Sequence, residues 1–203
     1  MRTFVGVLSA LLIGGSARAQ VPAGRTPPAE QYSLWLEPSG AADDSVRRVV
    51  CELAQRYPSH CFNPHMTVVG DVAGSLDDIT RRAKLLATRT PALEATLTTV
   101  GWHAGDFFRS FYVLIEETPP LSKLYRDTCE IVGRCQTRPF HMSLMYTDQL
   151  SDSARAAIRD SLYAIRGGSG FGTTLRLDRL TVCASAGLPP ERWTCPVSID
   201  LRP

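Results

Sequence analysis

His65-Met66-Thr67-Val68 and His141-Met142-Ser143-Leu144 are one four-residue phrase written twice in a chain of 203 residues. Residues i and i+2 of a β-strand point to the same face, so each phrase sets an imidazole beside a hydroxyl while the apolar residues face the other way. Two such strands, related by a duplication, aim four polar groups into one cleft. A single histidine on a strand reads first as a structural residue; the repetition is what makes this pair a candidate site.

Working outward from the two phrases, the pattern of elements also repeats. Tyr32–Glu37 alternates like a strand, and Pro38-Ser39-Gly40 supplies a turn. A helix follows, with Asp43 or Asp44 as its expected cap and Val46, Val49, Val50, Leu53 and Tyr57 on one face. Met66–Val69 predicts a strand, Ser75 with Asp78 a capping box, Leu76, Ile79, Ala83 and Leu86 the buried side of a second helix, and Leu93–Val100 a further strand. In the second half Phe111–Ile115, Pro119–Val132, Met142–Tyr146, Ser151–Ile165 and Leu175–Cys183 read strand, helix, strand, helix, strand, and Trp193–Leu201 adds a last strand. The apolar side of the Ser151–Ile165 helix is expected to carry Ala157, Ile158, Leu162 and Ile165. Tyr32 precedes His65 by 33 residues and Phe111 precedes His141 by 30. The expected fold is a duplicated α+β unit: two lobes, each with a small antiparallel-rich sheet, facing a central groove with the helices outside.

The N-terminus reads as an export signal. Met1-Arg2 is basic, Phe4–Ile13 is almost unbroken apolar sequence, and Ala17-Arg18-Ala19 before Gln20 is the small-x-small pattern of a cleavage site. The expected organisation is a signal peptide over 1–19, a flexible Pro-rich leader over 20–31 and a single domain over 32–203. The apolar run falls short of the roughly 20 residues that cross a bilayer, so no membrane anchor is expected. Cleavage removes Arg2 and Arg18, which brings basic and acidic side chains level at 20 each. A neutral chain lacks the field that holds long nucleic acid, and any anion it handles should be small. All six cysteines (Cys51, Cys61, Cys129, Cys135, Cys183, Cys195) survive cleavage, and an even count in an exported chain favours disulfides. Six cysteines allow 15 pairings, among which Cys129/Cys135 and Cys183/Cys195 each close a short loop. The predicted location is the periplasm or the exterior of the cell.

Two imidazoles and two hydroxyls suit displacement at phosphorus. One imidazole takes a proton from the attacking water and the other gives one to the departing oxygen. The hydroxyls of Thr67 and Ser143 can donate to the non-bridging oxygens as negative charge builds. No metal or cofactor is required. A zinc site has little support, because there is no Cys-x-x-Cys pair and neither phrase has a third ligand next to it in sequence. A serine-hydrolase reading fails for want of a Gly-x-Ser-x-Gly elbow.

The doubled His-x-Thr/Ser pattern resembles the signature of the two-histidine (2H) phosphoesterase superfamily, whose fold is the LigT-like bilobal one. The wider likeness is to its plant and yeast cyclic phosphodiesterase branch. It runs through Tyr32-Ser33-Leu34-Trp35, Asn63-Pro64-His65-Met66-Thr67-Val68, Asp106-Phe107-Phe108, His141-Met142-Ser143-Leu144-Met145-Tyr146 and Leu177-Asp178-Arg179-Leu180. The resemblance implies that His65 and His141 are the acid/base pair and that Thr67 and Ser143 bind the phosphate. It further implies that Tyr146 reaches the substrate and that Trp35 lines the base or ribose pocket. It implies a disulfide between Cys129 and Cys135 beside the active site. The signal peptide and a shorter connection from Cys135 to His141 depart from the plant pattern.

The expected activity is metal-independent hydrolysis of nucleoside 2′,3′-cyclic phosphates, or of ADP-ribose 1″,2″-cyclic phosphate, to a phosphomonoester. The plant resemblance favours retention of the 2′-phosphate. The expected partner is that small nucleotide, with no long nucleic acid, no membrane and a monomeric chain. Two alternatives stand beside it: a 2′,5′-RNA ligase or phosphodiesterase of LigT type, which needs a longer basic groove than a neutral chain offers, and a non-catalytic periplasmic nucleotide-binding module.

Overall fold

The computed structural model describes residues 30–135, 139–165, 167 and 170–203; the expected signal peptide and the leader as far as residue 29 lie outside the described residues. Among the described residues eleven regular elements follow one another as β1 (Gln31–Ser39), α1 (Ala41–Arg56), β2 (Met66–Ala73), α2 (Leu76–Arg89), β3 (Leu93–Gly101), β4 (Phe111–Ile115), α3 (Pro119–Val132), β5 (His141–Met145), α4 (Asp152–Ile165), β6 (Thr173–Ala184) and β7 (Thr194–Asp200). Short 3-10 turns occupy Phe107–Arg109 and Pro190–Arg192.

Local chemistry sets most boundaries. The Ser75 hydroxyl accepts the Asp78 N–H at 3.2 Å and opens α2. Thr118 caps α3, Pro119 and Pro120 fill its first turn, and Gly133 ends it in the left-handed conformation at φ 77°. The expected aspartate cap of α1 is not used. Gly40 takes the cap position without a side-chain bond, and Asp43 and Asp44 lie in the first turn, where their charge complements the helix dipole. On α4 the expected apolar side is shortened. Ile158 is buried and Leu162 packs on the core, but Ile165 at the helix end is 81% exposed.

All strand pairings are antiparallel, in the order β1-β2-β5-β4-β3-β6-β7, and β1 also pairs with β6. Without β7 the strands therefore close into a ring of six. Exchanging the two halves of the sequence (β1 for β4, β2 for β5, β3 for β6) reproduces the same set of pairings, with β2–β5 and β3–β6 each mapping onto itself. Helices α1 and α3 obey the same exchange, since α1 packs on β5 and α3 packs on β2. The duplication inferred from element order is thus present in three dimensions.

Each lobe borrows its third strand from the other half of the chain. In place of the two separate sheets expected, a single seven-stranded sheet carries β2-β1-β6 in one lobe and β5-β4-β3 in the other, joined where β2 pairs with β5 and where β6 pairs with β3. The first residues of β6 pair with β3 and its later ones with β7, while β1 runs along its other side. Leu34, Leu36, Leu97, Phe111, Leu144 and Leu177 are fully buried between sheets and helices. Each buried side chain of this kind contributes about 1.5–3 kcal/mol. Truncating Phe111 to alanine would cost about 3–5 kcal/mol.

Three disulfides join Cys51–Cys61, Cys129–Cys135 and Cys183–Cys195. Both short loops anticipated from spacing are closed. Cys51–Cys61 ties the second half of α1 to the segment that leads into His65. No helix among the described residues is long and apolar enough to cross a membrane.

Candidate active site

The thinnest seam of the ring is β2 against β5, where Met66 pairs with Met142. Continuing that antiparallel register by one residue each way sets His65 opposite Ser143 and Thr67 opposite His141. Met66 and Met142 are fully buried on the far face, so the four polar side chains share the near one. The two histidines are then diagonal neighbours, which at about 7–8 Å leaves room for one phosphoryl group between the rings. All six residues expected at the site (His65, His141, Thr67, Ser143, Tyr146 and Trp35) line a single cavity of about 310 Å³.

The histidines are oriented alike. His65 Nδ1 bonds to the Asn63 carbonyl at 2.8 Å, and His141 Nδ1 bonds to the Pro139 carbonyl at 3.2 Å. In both cases the acceptor is the backbone two residues upstream. A carbonyl accepts only, so Nδ1 carries the proton and Nε2 of the neutral ring is left as the proton acceptor. Their surroundings differ. His65 is 4% exposed and lies flat on Trp35, ring centroids 3.8 Å apart. Burial pushes its pKa down to about 4, the nearby His141 adds to that, and the Asn63 carbonyl opposes it. His141 is half-buried against Tyr112 at 5.1 Å. Burial lowers its pKa too; the Pro139 carbonyl and Asp106 oppose the shift and Arg109 reinforces it.

The hydroxyls are also unequal. Ser143 Oγ donates to the Phe108 carbonyl at 3.1 Å and interacts with the Tyr146 hydroxyl. Thr67, paired in register with Trp35, makes no hydrogen bond through its hydroxyl among the described residues. Tyr146 is buried, which pushes its hydroxyl pKa up, and its N–H donates to Ser59 Oγ at 3.1 Å. Trp35 offers the cavity little open face: it is 6% exposed, one side is covered by His65, and Trp193 stands edge-on at 5.2 Å.

Several residues that line the cavity were not singled out from sequence, and three of them shape its charge and walls. Arg109 brings a guanidinium, held by Asp106 through Nε at 2.8 Å. Burial raises the Asp106 carboxyl, but the bonds from Arg109 and from backbone N–H groups hold it below the usual carboxylate range. Trp193 forms a wall, its indole N–H bound to the Leu188 carbonyl at 2.8 Å. At the rim Asp71, the non-glycine residue with φ +52°, is fastened through its carbonyl to Arg134, which sits inside the Cys129–Cys135 loop. Arg109 had one signal in the sequence, a lone charge inside Phe107-Phe108-Arg109-Ser110-Phe111. Trp193 had none beyond its place next to a cysteine-bearing strand.

Among the described residues no group of three or more His, Cys, Asp or Glu side chains is arranged to hold a metal ion. No protein-family model and no curated protein matches the chain. Its fold is similar to solved structures. E. coli LigT complexed with NADP+ aligns with TM-score 0.58 at 15% identity over 86% of this chain and 99% of that one. E. coli LigT complexed with phosphate gives 0.56 at 14% over 87% and 99%. TT0787 of Thermus thermophilus gives 0.56 at 14% over 85% and 98%. At these identities the common property is the fold.

Proposed function

We propose that this chain is a metal-independent two-histidine phosphodiesterase that opens nucleoside 2′,3′-cyclic phosphates to phosphomonoesters. The observation that carries the reading is the pair of imidazoles on neighbouring strands, each fixed through Nδ1 to a backbone carbonyl, lining one cavity with two hydroxyls and a guanidinium. That LigT has been crystallised with phosphate, 3′-AMP, ATP and NADP+ supports a phosphate-bearing nucleotide as the occupant.

The surroundings divide the labour. His65 is enclosed and neutral at working pH, which suits the base: its Nε2 takes a proton from water as the water oxygen bonds to phosphorus. His141 is less buried than His65 and keeps the more open side of the cavity, which suits the acid: protonated on Nε2, it gives that proton to the ribose oxygen as the P–O bond breaks. Thr67 donates to a non-bridging oxygen, and Arg109 offsets the charge that accumulates there. Solvent then returns each histidine to its starting state. The three disulfides suit a periplasmic or secreted enzyme meeting the products of RNA breakdown.

The test is incubation of purified protein, with chelator present, with cyclic nucleotides, ADP-ribose 1″,2″-cyclic phosphate and a 2′,5′-linked oligonucleotide, the products identified by phosphorus NMR. A phosphomonoester from the cyclic nucleotides is expected, with the 2′-phosphate retained. Cleavage of the oligonucleotide alone would select the LigT-type reading; tight nucleotide binding without turnover would select the binding module.

A further inference from the structure

The cavity does not end at the histidines. Its lining continues to Ser33 on β1, to Gly70 and Asp71 on β2, and to Ser185 and Ala186 just past β6. Ser33 lies two residues before Trp35 on a stretch of β1 that pairs regularly with β6, so the two side chains share a face. Trp35 is in register with Thr67, which puts Ser33 about 7 Å, one strand repeat, from the row that carries the Thr67 hydroxyl. Here β2 is bulged: it runs from Thr67 to Val72 while β1 runs only from Trp35 to Tyr32, and the extra residues set Gly70 and Asp71 opposite Ser33.

Two hydroxyls are built into the wall of this arm. Ser33 and Ser185 are 5% and 7% exposed, and Ser185 Oγ–H donates to Ser33 Oγ at 2.8 Å. That bond fixes Ser33 as an acceptor and leaves its own hydrogen uncommitted among the described residues. A buried donor on a cavity wall takes its partner from what the cavity holds. Asp71 supplies the complementary acceptor at the same end of the cavity, its carboxylate balanced by the Arg134 guanidinium at 3.6 Å. A donor with an acceptor suits a hydroxyl, which does both; a phosphate offers acceptors only and an apolar group neither. In a nucleoside 2′,3′-cyclic phosphate the 2′ and 3′ oxygens are esterified and C1′ carries the base, so the 5′-hydroxyl is the one hydroxyl the sugar still offers.

We propose that the arm lined by Ser33, Ser185 and Asp71 is a subsite for the 5′-hydroxyl of the substrate, and that Ser33 selects substrates by donating to it. This rests on the phosphodiesterase reading above and narrows it to mononucleotides with a free 5′ end. Such substrates have a defined source. Attack of a 2′-oxygen on the neighbouring RNA phosphate forms the cyclic ester and expels the 5′-oxygen of the next nucleotide, which takes up a proton. A nucleotide cut on both sides in that way carries a cyclic phosphate and a 5′-hydroxyl together.

The experiment compares kcat/KM for uridine 2′,3′-cyclic phosphate with that for its 5′-deoxy and 5′-phosphorylated forms. In the parent enzyme the 5′-hydroxyl form should lead both, the 5′-deoxy form by about tenfold, because the latter leaves a buried donor unpaired. Ser33→Ala should bring the ratio of 5′-hydroxyl to 5′-deoxy close to one. Ser185→Ala, which lets the Ser33 hydroxyl rotate, should lower it less. A merely structural role for Ser33 would slow both forms by one factor and keep the ratio, which overturns the proposal. Equal rates in the parent overturn it as well, and so does a 5′-phosphorylated form that matches or beats the 5′-hydroxyl one. Calorimetric titration with uridine 2′-phosphate and 5′-deoxyuridine 2′-phosphate gives the same comparison without turnover. If no cyclic phosphate is hydrolysed the activity reading fails, while the subsite stands or falls on whether uridine 2′-phosphate binds more tightly than its 5′-deoxy form and loses that lead in Ser33→Ala.

Discussion

The His65 motif and the His141 motif occupy equivalent places in a duplicated fold, yet they sit in opposite surroundings. Trp35 seals His65 from solvent on one side. His141 lies at the edge of the cavity beside a guanidinium and a carboxylate. Duplication supplied two copies of one reactive phrase, and the neighbours made them unlike. In-line displacement needs that, because a base and an acid must be in different protonation states at the same pH.

The comparison is broken most directly by removing one ring at a time. His65→Ala and His141→Ala should each lower turnover by about 10²–10⁴. The pH profiles should then differ. With both pKa values lowered, the bell of kcat/KM in the parent enzyme should peak on the acid side of neutrality. His65→Ala should lose the acid limb of that bell, and His141→Ala the alkaline limb. Loss of the same limb in both variants would rule out the division of roles.

The hydroxyls sharpen the contrast. Thr67→Val should reduce kcat by about 10²-fold, the cost of one donor to a developing oxyanion. Ser143→Ala releases the Phe108 carbonyl, to which the one Ser143 hydroxyl hydrogen is already committed, so its kcat should fall less than that of Thr67→Val. Steady-state kinetics on both variants separate the two patterns.

Stability offers a third comparison. The folded pKa of His65 is about 4, below the ordinary value of 6.5, so the unfolded chain binds the extra proton between these limits. The contribution is therefore complete above pH ~6.5 and is lost as pH falls toward 4, to the extent of about 3 kcal/mol. Urea midpoints measured across that range should fall in the parent protein and fall less in His65→Gln. The smallest effect is expected from Asp106→Ala, which removes the brace of the Phe108 turn and should lower stability by about 1 kcal/mol, read as a modest drop in Tm.

Much of this was legible in the chain because it depends on neighbours in sequence. The period-2 alternation around His65 and His141, the Ser75 cap and the proline start and glycine stop of α3 are local matters, and each appears as read. The α1 cap was misjudged because Gly40 ends the turn by itself, which makes Asp43 and Asp44 the third and fourth residues of the helix. Ile165 was misjudged because helical periodicity predicts a face but not how far along the helix the core extends. Arg109 and Trp193 were passed over because their roles come from chain segments far away. Trp193 enters the cavity only through the path of the Cys183–Cys195 arm, and Arg109 only because β4 lies beside β5.

By itself the sequence determined the secondary elements, their repeated order and the two reactive phrases, since strand alternation and helix capping are fixed by residues within a few positions of one another. The tertiary structure alone decided that each lobe completes its sheet with a strand from the other half, that the two phrases meet at the Met66–Met142 pair, and that one imidazole is sealed while the other stays open. Those outcomes depend on which distant surfaces bury each other, and burial is a property of the packed whole.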